Sequence, residues 1–126
     1  MVTWILWALI LAMLAWMGFN YLRIRRAAKI VDNEEFEALI RTGQLIDLRD
    51  LAEFHRKHIL GARNIPSSQL KTSLAALRKD KPVLLYENQR AQRVTNAALY
   101  LKKQGFSEIY ILSYGLDSWK GKVKTS

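Results

Sequence analysis

The chain has 126 residues, half of them hydrophobic, and a formal net charge of +9 at pH 7. It contains no cysteine, which excludes disulfides, thiolate nucleophiles, persulfide carriers and metal centres held by cysteine. All of the charged residues follow Leu22, so the basic excess belongs to the polar part of the chain and suits an anionic partner. The two histidines, His55 and His58, are too few to predict a metal site, and no cofactor is indicated.

The uncharged run over residues 2–22 matches the roughly 20 residues that a helix needs to cross a hydrocarbon core of ~30 Å. Basic residues follow this run rather than precede it, unlike those of a cleaved signal peptide. They are Arg23, Arg25, Arg26 and Lys29. We therefore predict a single-pass anchor over residues 1–22 in a bacterial plasma membrane. Its N-terminus is expected outside, with the basic residues at the lipid surface on the cytoplasmic side.

Residues 23–31 are predicted to form a basic juxtamembrane linker. Asp32, with Glu35 three residues later, has the pattern of a capping box, and the helix that follows is expected to stop near Gly43. The next predicted elements are a strand at residues 45–48, a short helix at 51–58 and a brief strand at 62–65.

A further helix is expected after Ser67 or Ser68, because leucines recur at helical spacing from residue 70 to residue 77. Beyond it we predict strands at residues 83–86 and 109–112, a helix at 94–105 and a helical turn at 116–119. Strands that alternate with helices predict an α/β domain over residues 32–121, with a mostly parallel sheet covered on both faces. Residues 122–126 are predicted to be a frayed basic tail.

The most informative stretch is residues 82–93, where an apolar strand enters a polar turn that leads into a helix. In an α/β domain this arrangement directs backbone N–H groups and the positive end of the helix toward the turn. A functional site is therefore expected there. The first residue after the strand is Glu87.

Three ordered segments together resemble the rhodanese (single-domain sulfurtransferase-like) family. They are LIDLRDLAEFHRKHILGARNIP at residues 45–66, PVLLYE at 82–87 and ILSYGLDSWKG at 111–121. The resemblance implies a rhodanese fold over residues 32–121. Asp47 and Arg49 have the residue types of a catalytic pair, but their position at a strand end favours a structural role. The motif residues expected to be structural are Asp47, Arg49, His58, Gly61 and Trp119.

The reactive loop departs from the family pattern. The family's catalytic cysteine corresponds to Glu87, its loop glycine to Arg90, and its loop arginine to Gln92 or, with a one-residue slip, to Arg93. A carboxylate is a poor nucleophile toward sulfur and carries no transferable sulfur atom. We therefore predict no enzymatic activity and a degenerate active-site loop that comprises Glu87, Asn88, Gln89, Arg90, Ala91, Gln92 and Arg93.

Two roles for Glu87 are compatible with the sequence. Its carboxylate either accepts the loop N–H groups that an anion would otherwise take, paired with Arg90 or Arg93, or it is an exposed loop residue without a special partner.

The functional hypothesis is a membrane-tethered, inactive rhodanese-like domain that binds a protein partner on the cytoplasmic face through Glu87, Arg90 and Arg93. The alternative is a sulfurtransferase-type protein that works with a cysteine from its partner. Nucleic-acid binding is disfavoured, because aromatic residues are not interleaved with the basic ones.

Overall fold

The computed structural model describes residues 2–89 and 92–125. Its helices are α1 (Val2–Ala27), α2 (Asn33–Ile40), α3 (Leu51–Arg56) and α4 (Gln92–Lys103). Its strands are β1 (Lys29–Val31), β2 (Gln44–Asp47), β3 (His58–Ile59), β4 (Arg63–Asn64), β5 (Val83–Tyr86), β6 (Ile109–Leu112) and β7 (Val123–Lys124). Short 3-10 turns lie at Ser67–Gln69, Leu74–Ala76 and Leu116–Ser118. The predicted α/β class is confirmed.

The strands of the main sheet follow the order β1-β6-β5-β2-β4, and each neighbouring pair is parallel. All of these strands therefore begin at one end of the sheet, the amino edge, and finish at the other, the carboxyl edge. In the register of β2 with β5, Asp47 lies beside Tyr86. The residues that follow these two strands meet at the carboxyl edge, where ligand sites of open parallel sheets are found.

Buried side chains fill both faces of the sheet. Along β5, Val83 and Leu85 belong to the cluster that includes Leu101 of α4, whereas Leu84 and Tyr86 belong to the cluster that includes Phe36 of α2. This alternation is the period-two pattern of a strand. Because every residue of β5 is buried, β5 is the centre of the core and a firm support for the loop that follows it.

The predicted apolar helix is present as α1. Over Val2–Arg23 it is long and apolar enough to cross a membrane, by length and composition. Every side chain from Val2 to Phe19 is exposed, whereas Ala27 at the end of the helix and Ala28 after it are buried. The helix therefore projects from the domain and is packed against it only at its C-terminal end.

The range 23–31, predicted as a linker, contains the end of α1 and the strand β1. β1 pairs in parallel with residues 110–112 of β6. It therefore extends the sheet by one edge strand. The folded domain thus begins before residue 32. Arg23 and Lys29 are exposed, and the side chains of Arg25 and Arg26 lie outside the described part of the chain.

The first helix of the domain forms as the capping pattern predicts. Asp32 is the N-cap of α2, and its side-chain Oδ1 accepts the backbone N–H of Glu35 at 2.9 Å. Helix α2 ends at Ile40, and Phe36 on its inner face is fully buried.

The prediction of a helix after Ser67 or Ser68 is wrong. The segment forms two 3-10 turns instead, although Leu70 and Leu77 are buried as the pattern required. The Thr72 hydroxyl donates to the carbonyl of Gln69 at 2.9 Å. Such side-chain bonds to the backbone compete with helix formation, and threonine and serine have low helix propensity.

The frayed tail predicted for residues 122–126 is also corrected. Val123–Lys124 forms β7, which pairs antiparallel with β3, and the N–H of Leu60 donates to the carbonyl of Lys122 at 3.0 Å. Backbone hydrogen bonds therefore hold the end of the described chain against the domain. Both side chains of β7 are exposed, so no apolar pattern in the sequence indicated this strand.

Candidate functional site

The candidate site lies at the carboxyl edge, where β5 ends at Tyr86 and Glu87 begins the loop. Glu87 is only 8% exposed, and its Oε2 accepts the backbone N–H of Val94 at 2.9 Å. Val94 is in the first turn of α4, whose N–H groups lack partners within the helix and carry partial positive charge. The carboxylate therefore stabilises the N-terminus of α4 from inside the domain.

The start of the loop is also fixed by the 3-10 turn near the end of the domain. The carbonyl of Glu87 accepts the N–H of Leu116 at 2.8 Å, and the carbonyl of Asn88 accepts the N–H of Asp117 at 3.0 Å. Gly115 permits this approach, because a Cβ atom there would lie 2.4 Å from the carbonyl oxygen of Asn88. Its φ of 69° also favours glycine.

Behind the loop, Asp47 and Arg49 form a buried ion pair. The Arg49 Nη2 lies 2.8 Å from the Asp47 Oδ2, and the Arg49 Nε also donates to the Asp47 carboxylate. Burial acts to lower the pKa of Arg49, but the hydrogen bonds and charge of Asp47 outweigh it, and the pKa is raised above its ordinary value. Asp47 is fully buried, so its carboxylate is available to Arg49 and the neighbouring groups but not to solvent.

Arg49 extends this pair to the loop. Its Nη1 donates to the Asn88 Oδ1 at 2.9 Å, and the Asn88 Nδ2 donates to the Glu53 Oε2 at 2.9 Å. Arg49 also donates to the backbone carbonyl of Lys57. These bonds connect β2, α3 and the loop into one polar network, beside a cleft of about 290 Å³.

His58 and Tyr86 complete the support. The His58 ring stacks on Phe54 with 3.8 Å between ring centroids, and its Nδ1 lies 2.7 Å from the Phe54 carbonyl. The Tyr86 hydroxyl accepts the N–H of Ile59 at 3.1 Å. Burial, the Asp47 charge and a hydrogen bond to Asp47 raise the pKa of Tyr86 well above its ordinary value. Both side chains are buried, packed and hydrogen-bonded.

The remaining motif residues are placed in the scaffold. Gly61 adopts a φ of 91° in the turn after β3, a conformation that favours glycine. The Trp119 ring packs edge-on against Phe36 with 5.9 Å between ring centroids.

The predicted partner contacts are separated by the structure. Glu87 is buried and engaged with α4, so its side chain is not presented on the surface. Arg93 and Gln89 are exposed, and within the described ranges no ion pair joins Glu87 to Arg93. Arg90 and Ala91 lie outside the described residues. Gln92 begins α4, and its side chain donates to Asn96 at 2.8 Å.

Two features of this site were not predicted from the sequence. The Asn88 side chain, which was predicted only as a member of the degenerate loop, connects Arg49 to Glu53. Arg93 lines a cleft of about 370 Å³ together with Ser67, Lys71 and Tyr100. In the part of the chain that the structure describes, no cluster of three histidine or acidic residues is placed to hold a metal ion.

Comparisons with known proteins agree with this architecture. The rhodanese-like domain family matches residues 32–122. The chain is 47% identical over 113 residues to the uncharacterized protein YqhL of Bacillus subtilis, a match that covers 90% of this chain and 89% of that protein. It is 35% identical over 95 residues to the thiosulfate sulfurtransferase GlpE of Stutzerimonas stutzeri, covering 73% and 84% of the two chains.

A solved structure with the same fold is the rhodanese-related protein of Thermoplasma volcanium. The TM-score is 0.70 at 22% identity, and the match covers 78% of this chain and 99% of that one. A full-length protein from Lactobacillus plantarum matches with a TM-score of 0.68 at 20% identity over 91% of this chain and 98% of the other. With the family match over residues 32–122, this chain belongs to the rhodanese-like domain family.

Proposed function

We propose that this protein is a membrane-tethered rhodanese-like domain that has no sulfurtransferase activity of its own and binds a protein partner at the carboxyl edge. The observation that carries the proposal is the position and the hydrogen bonding of the Glu87 side chain. Its carboxylate follows β5 directly, at the position that corresponds to the family's catalytic cysteine, and it accepts the N–H of Val94.

The chemistry of this residue argues against sulfur transfer by the chain alone. Sulfur transfer through a persulfide needs a thiolate that attacks a sulfane sulfur, and a carboxylate neither attacks sulfur effectively nor carries it. The Glu87 side chain also takes a backbone N–H that would otherwise be available to an anion at the start of α4. Its negative charge would repel an anion such as thiosulfate from the same place.

The loop is better suited to binding than to chemistry. Gln89 and Arg93 are exposed, and the backbone at residues 87 and 88 is held by Leu116 and Asp117. A rigid support that presents exposed polar side chains on a loop is a common arrangement for binding surfaces. In this proposal Glu87 positions the loop and Arg93 supplies the contact.

Affinity capture of the full chain from detergent-solubilised membranes tests this surface. The loop variant is Gln89→Ala/Arg93→Ala, and the matched control is Arg41→Ala/Gln104→Ala, which removes the same exposed residue types elsewhere. We expect wild type and control to retain a protein that the loop variant loses. Equal capture by all three proteins would contradict binding through the loop.

The alternative is a sulfurtransferase that uses a cysteine from its partner, and the 35% identity to a thiosulfate sulfurtransferase favours it. Thiocyanate formation from thiosulfate and cyanide distinguishes the two functions. We expect none from the purified chain or from the chain with its captured partner. Turnover that requires both proteins, and that is lost when the partner's cysteine is replaced, would establish the alternative.

The tether is tested separately. We propose that α1 spans the plasma membrane once, with the N-terminus outside and the domain in the cytoplasm, because Arg23 and Lys29 follow the apolar run. We expect the protein to resist alkaline extraction at its full mass and to be digested by protease in inverted vesicles but not in intact spheroplasts. A shortened protein in the soluble fraction would identify α1 as a cleaved signal sequence.

A further inference from the structure

We propose that the amino edge of the sheet docks on an anionic phospholipid surface and thereby directs the degenerate loop away from the membrane. The inference depends on the membrane span proposed for α1. It extends the lipid contact predicted for the residues next to the span to the folded domain itself.

The position of α1 establishes which edge faces the bilayer. α1 ends at Ala27 and β1 starts at Lys29, and strands of a parallel sheet all begin at the same edge. A cleft lined by Ala27, Lys29, Glu108 and Tyr110 brings the end of α1 against the start of β6. α1 therefore leaves the domain at the amino edge.

The connection is too short to separate the domain from the lipid. From Arg23, the last residue of the apolar stretch, to Ala27 the helix rises only about 6 Å. The headgroup layer on each side of a hydrocarbon core is ~5–8 Å thick. The amino edge thus begins at the outer limit of the headgroup layer. Its charged side chains lie within ~8 Å of the lipid headgroups, the distance over which charges interact at physiological salt.

Lysine side chains are concentrated at this edge. Exposed lysines lie in the loop before β5, in the last turn of α4 and at the start of β1; they are Lys79, Lys81, Lys102, Lys103 and Lys29. The Lys79 Nζ lies 5.8 Å from the centroid of the Phe106 ring, which follows α4. The loop before β5 and the end of α4 therefore form one continuous basic surface.

The acidic residues at the amino edge do not cancel this charge. Asp80 is paired with Arg78 at 2.6 Å, so these two charges offset each other and leave the lysines in excess. Glu108 is the other carboxylate in the segments that precede β5 and β6. At the carboxyl edge, by contrast, Asp50 and Asp117 are mixed with Arg56 and Lys57.

The test uses the full chain in nanodiscs of phosphatidylcholine, with and without phosphatidylglycerol. Acylation of each lysine by an amine-reactive reagent is followed by mass spectrometry. In the anionic discs we expect Lys79, Lys81 and Lys103 to react roughly twofold or more slowly, since anionic lipid attracts basic residues near its surface. Lys57 and Lys120 should react equally in both discs.

Charge reversal provides the matched comparison. Lys79→Glu/Lys103→Glu should abolish the lipid dependence at Lys81, whereas Lys57→Glu/Lys120→Glu should leave it intact. Equal reactivity of the amino-edge lysines in both discs would overturn docking but leave the span of α1 standing. A chain that enters neither type of disc would overturn the span and the docking together.

Discussion

The two edges of the sheet use charged residues in opposite ways. At the carboxyl edge, Asp47, Arg49 and Glu87 are buried and bonded to one another or to backbone groups. At the amino edge, Lys79 and Lys103 are exposed. Removing one partner of a buried charge pair leaves the other charge uncompensated, which is strongly destabilising, whereas an exposed charge chiefly affects what the surface attracts. Mutation of the buried charges at the carboxyl edge should therefore change stability, and mutation of the exposed lysines at the amino edge should change lipid association.

The largest expected effect comes from Asp47→Ala at the carboxyl edge. This change leaves the Arg49 guanidinium buried without its partner, which typically costs about 3–5 kcal/mol. Denaturant unfolding of the full chain in detergent measures the loss. Asp80→Ala, which breaks the exposed pair with Arg78, is the matched control and should leave the unfolding midpoint unchanged. A similar small effect from both variants would contradict the comparison of the two edges.

Gly115→Ala tests the contact between the loop and the 3-10 turn beside it. A Cβ atom at Gly115 would overlap the Asn88 carbonyl, and the φ of 69° disfavours alanine. We expect a loss of about 2–4 kcal/mol in the free energy of unfolding. Gly61→Ala is the control, because Gly61 has a φ of 91° but open space around it. Its loss should be about 1 kcal/mol, and equal losses would mean that the loop does not need this close approach.

Tyr86→Phe tests how the free energy of unfolding depends on pH through a buried side chain at the carboxyl edge. Because burial and Asp47 raise the pKa of Tyr86 far above 10.0, the folded protein keeps a proton that the unfolded chain releases above pH 10. The stabilisation is complete below pH 10 and declines as the pH rises beyond it. Tyr86→Phe should reduce this decline, and it should also cost about 1–3 kcal/mol at neutral pH, since the N–H of Ile59 loses its acceptor.

The control for Tyr86→Phe is Tyr114→Phe, because Tyr114 is exposed. Unfolding free energies between pH 8 and 11 should fall in parallel for this variant and for wild type. An unchanged decline in Tyr86→Phe would show that other groups cause the loss at high pH.

Glu87 gives a smaller effect at the centre of the candidate site. Glu87→Ala removes the acceptor of the Val94 N–H, and the loss of a helix cap typically costs about 1–2 kcal/mol. Glu87→Gln keeps a side-chain oxygen and should cost less than half as much, because only the charge is lost. Thermal unfolding of the two variants separates these contributions. Wild-type stability in Glu87→Ala would mean that the carboxylate does not support α4.

The local pattern of apolar residues and turn residues correctly predicted the central strands and the helix that follows the candidate loop. Residues 83–86 and 109–112 are strands as predicted, because short apolar runs between turns have few alternatives. The helix expected at residues 94–105 forms at Gln92–Lys103. The short strands β1 and β7 were missed, since two or three residues carry no periodic signal and their pairing depends on distant segments.

The same limit applies to the site. The sequence predicted that Glu87 directly follows the strand at residues 83–86. Only the structure shows that its carboxylate is directed toward α4. The bonds of Asn88 to Arg49 and Glu53 join segments 39 and 35 residues apart. No spacing rule predicts such contacts, because they arise only when the sheet brings β2, α3 and the loop to one edge.

Asp80→Asn gives the smallest expected change in stability and the sharpest contrast between the two edges. Hydrogen bonding to Arg78 lowers the pKa of Asp80, so the carboxylate is charged at neutral pH and offsets one basic charge at the amino edge. Asparagine removes that offset without removing bulk. We expect an unchanged unfolding midpoint, because exposed pairs contribute little, together with stronger protection of Lys79 and Lys81 in anionic nanodiscs. Since the variant gains lipid association rather than losing it, misfolding cannot produce the expected result, and weaker protection would contradict the role of charge at this edge.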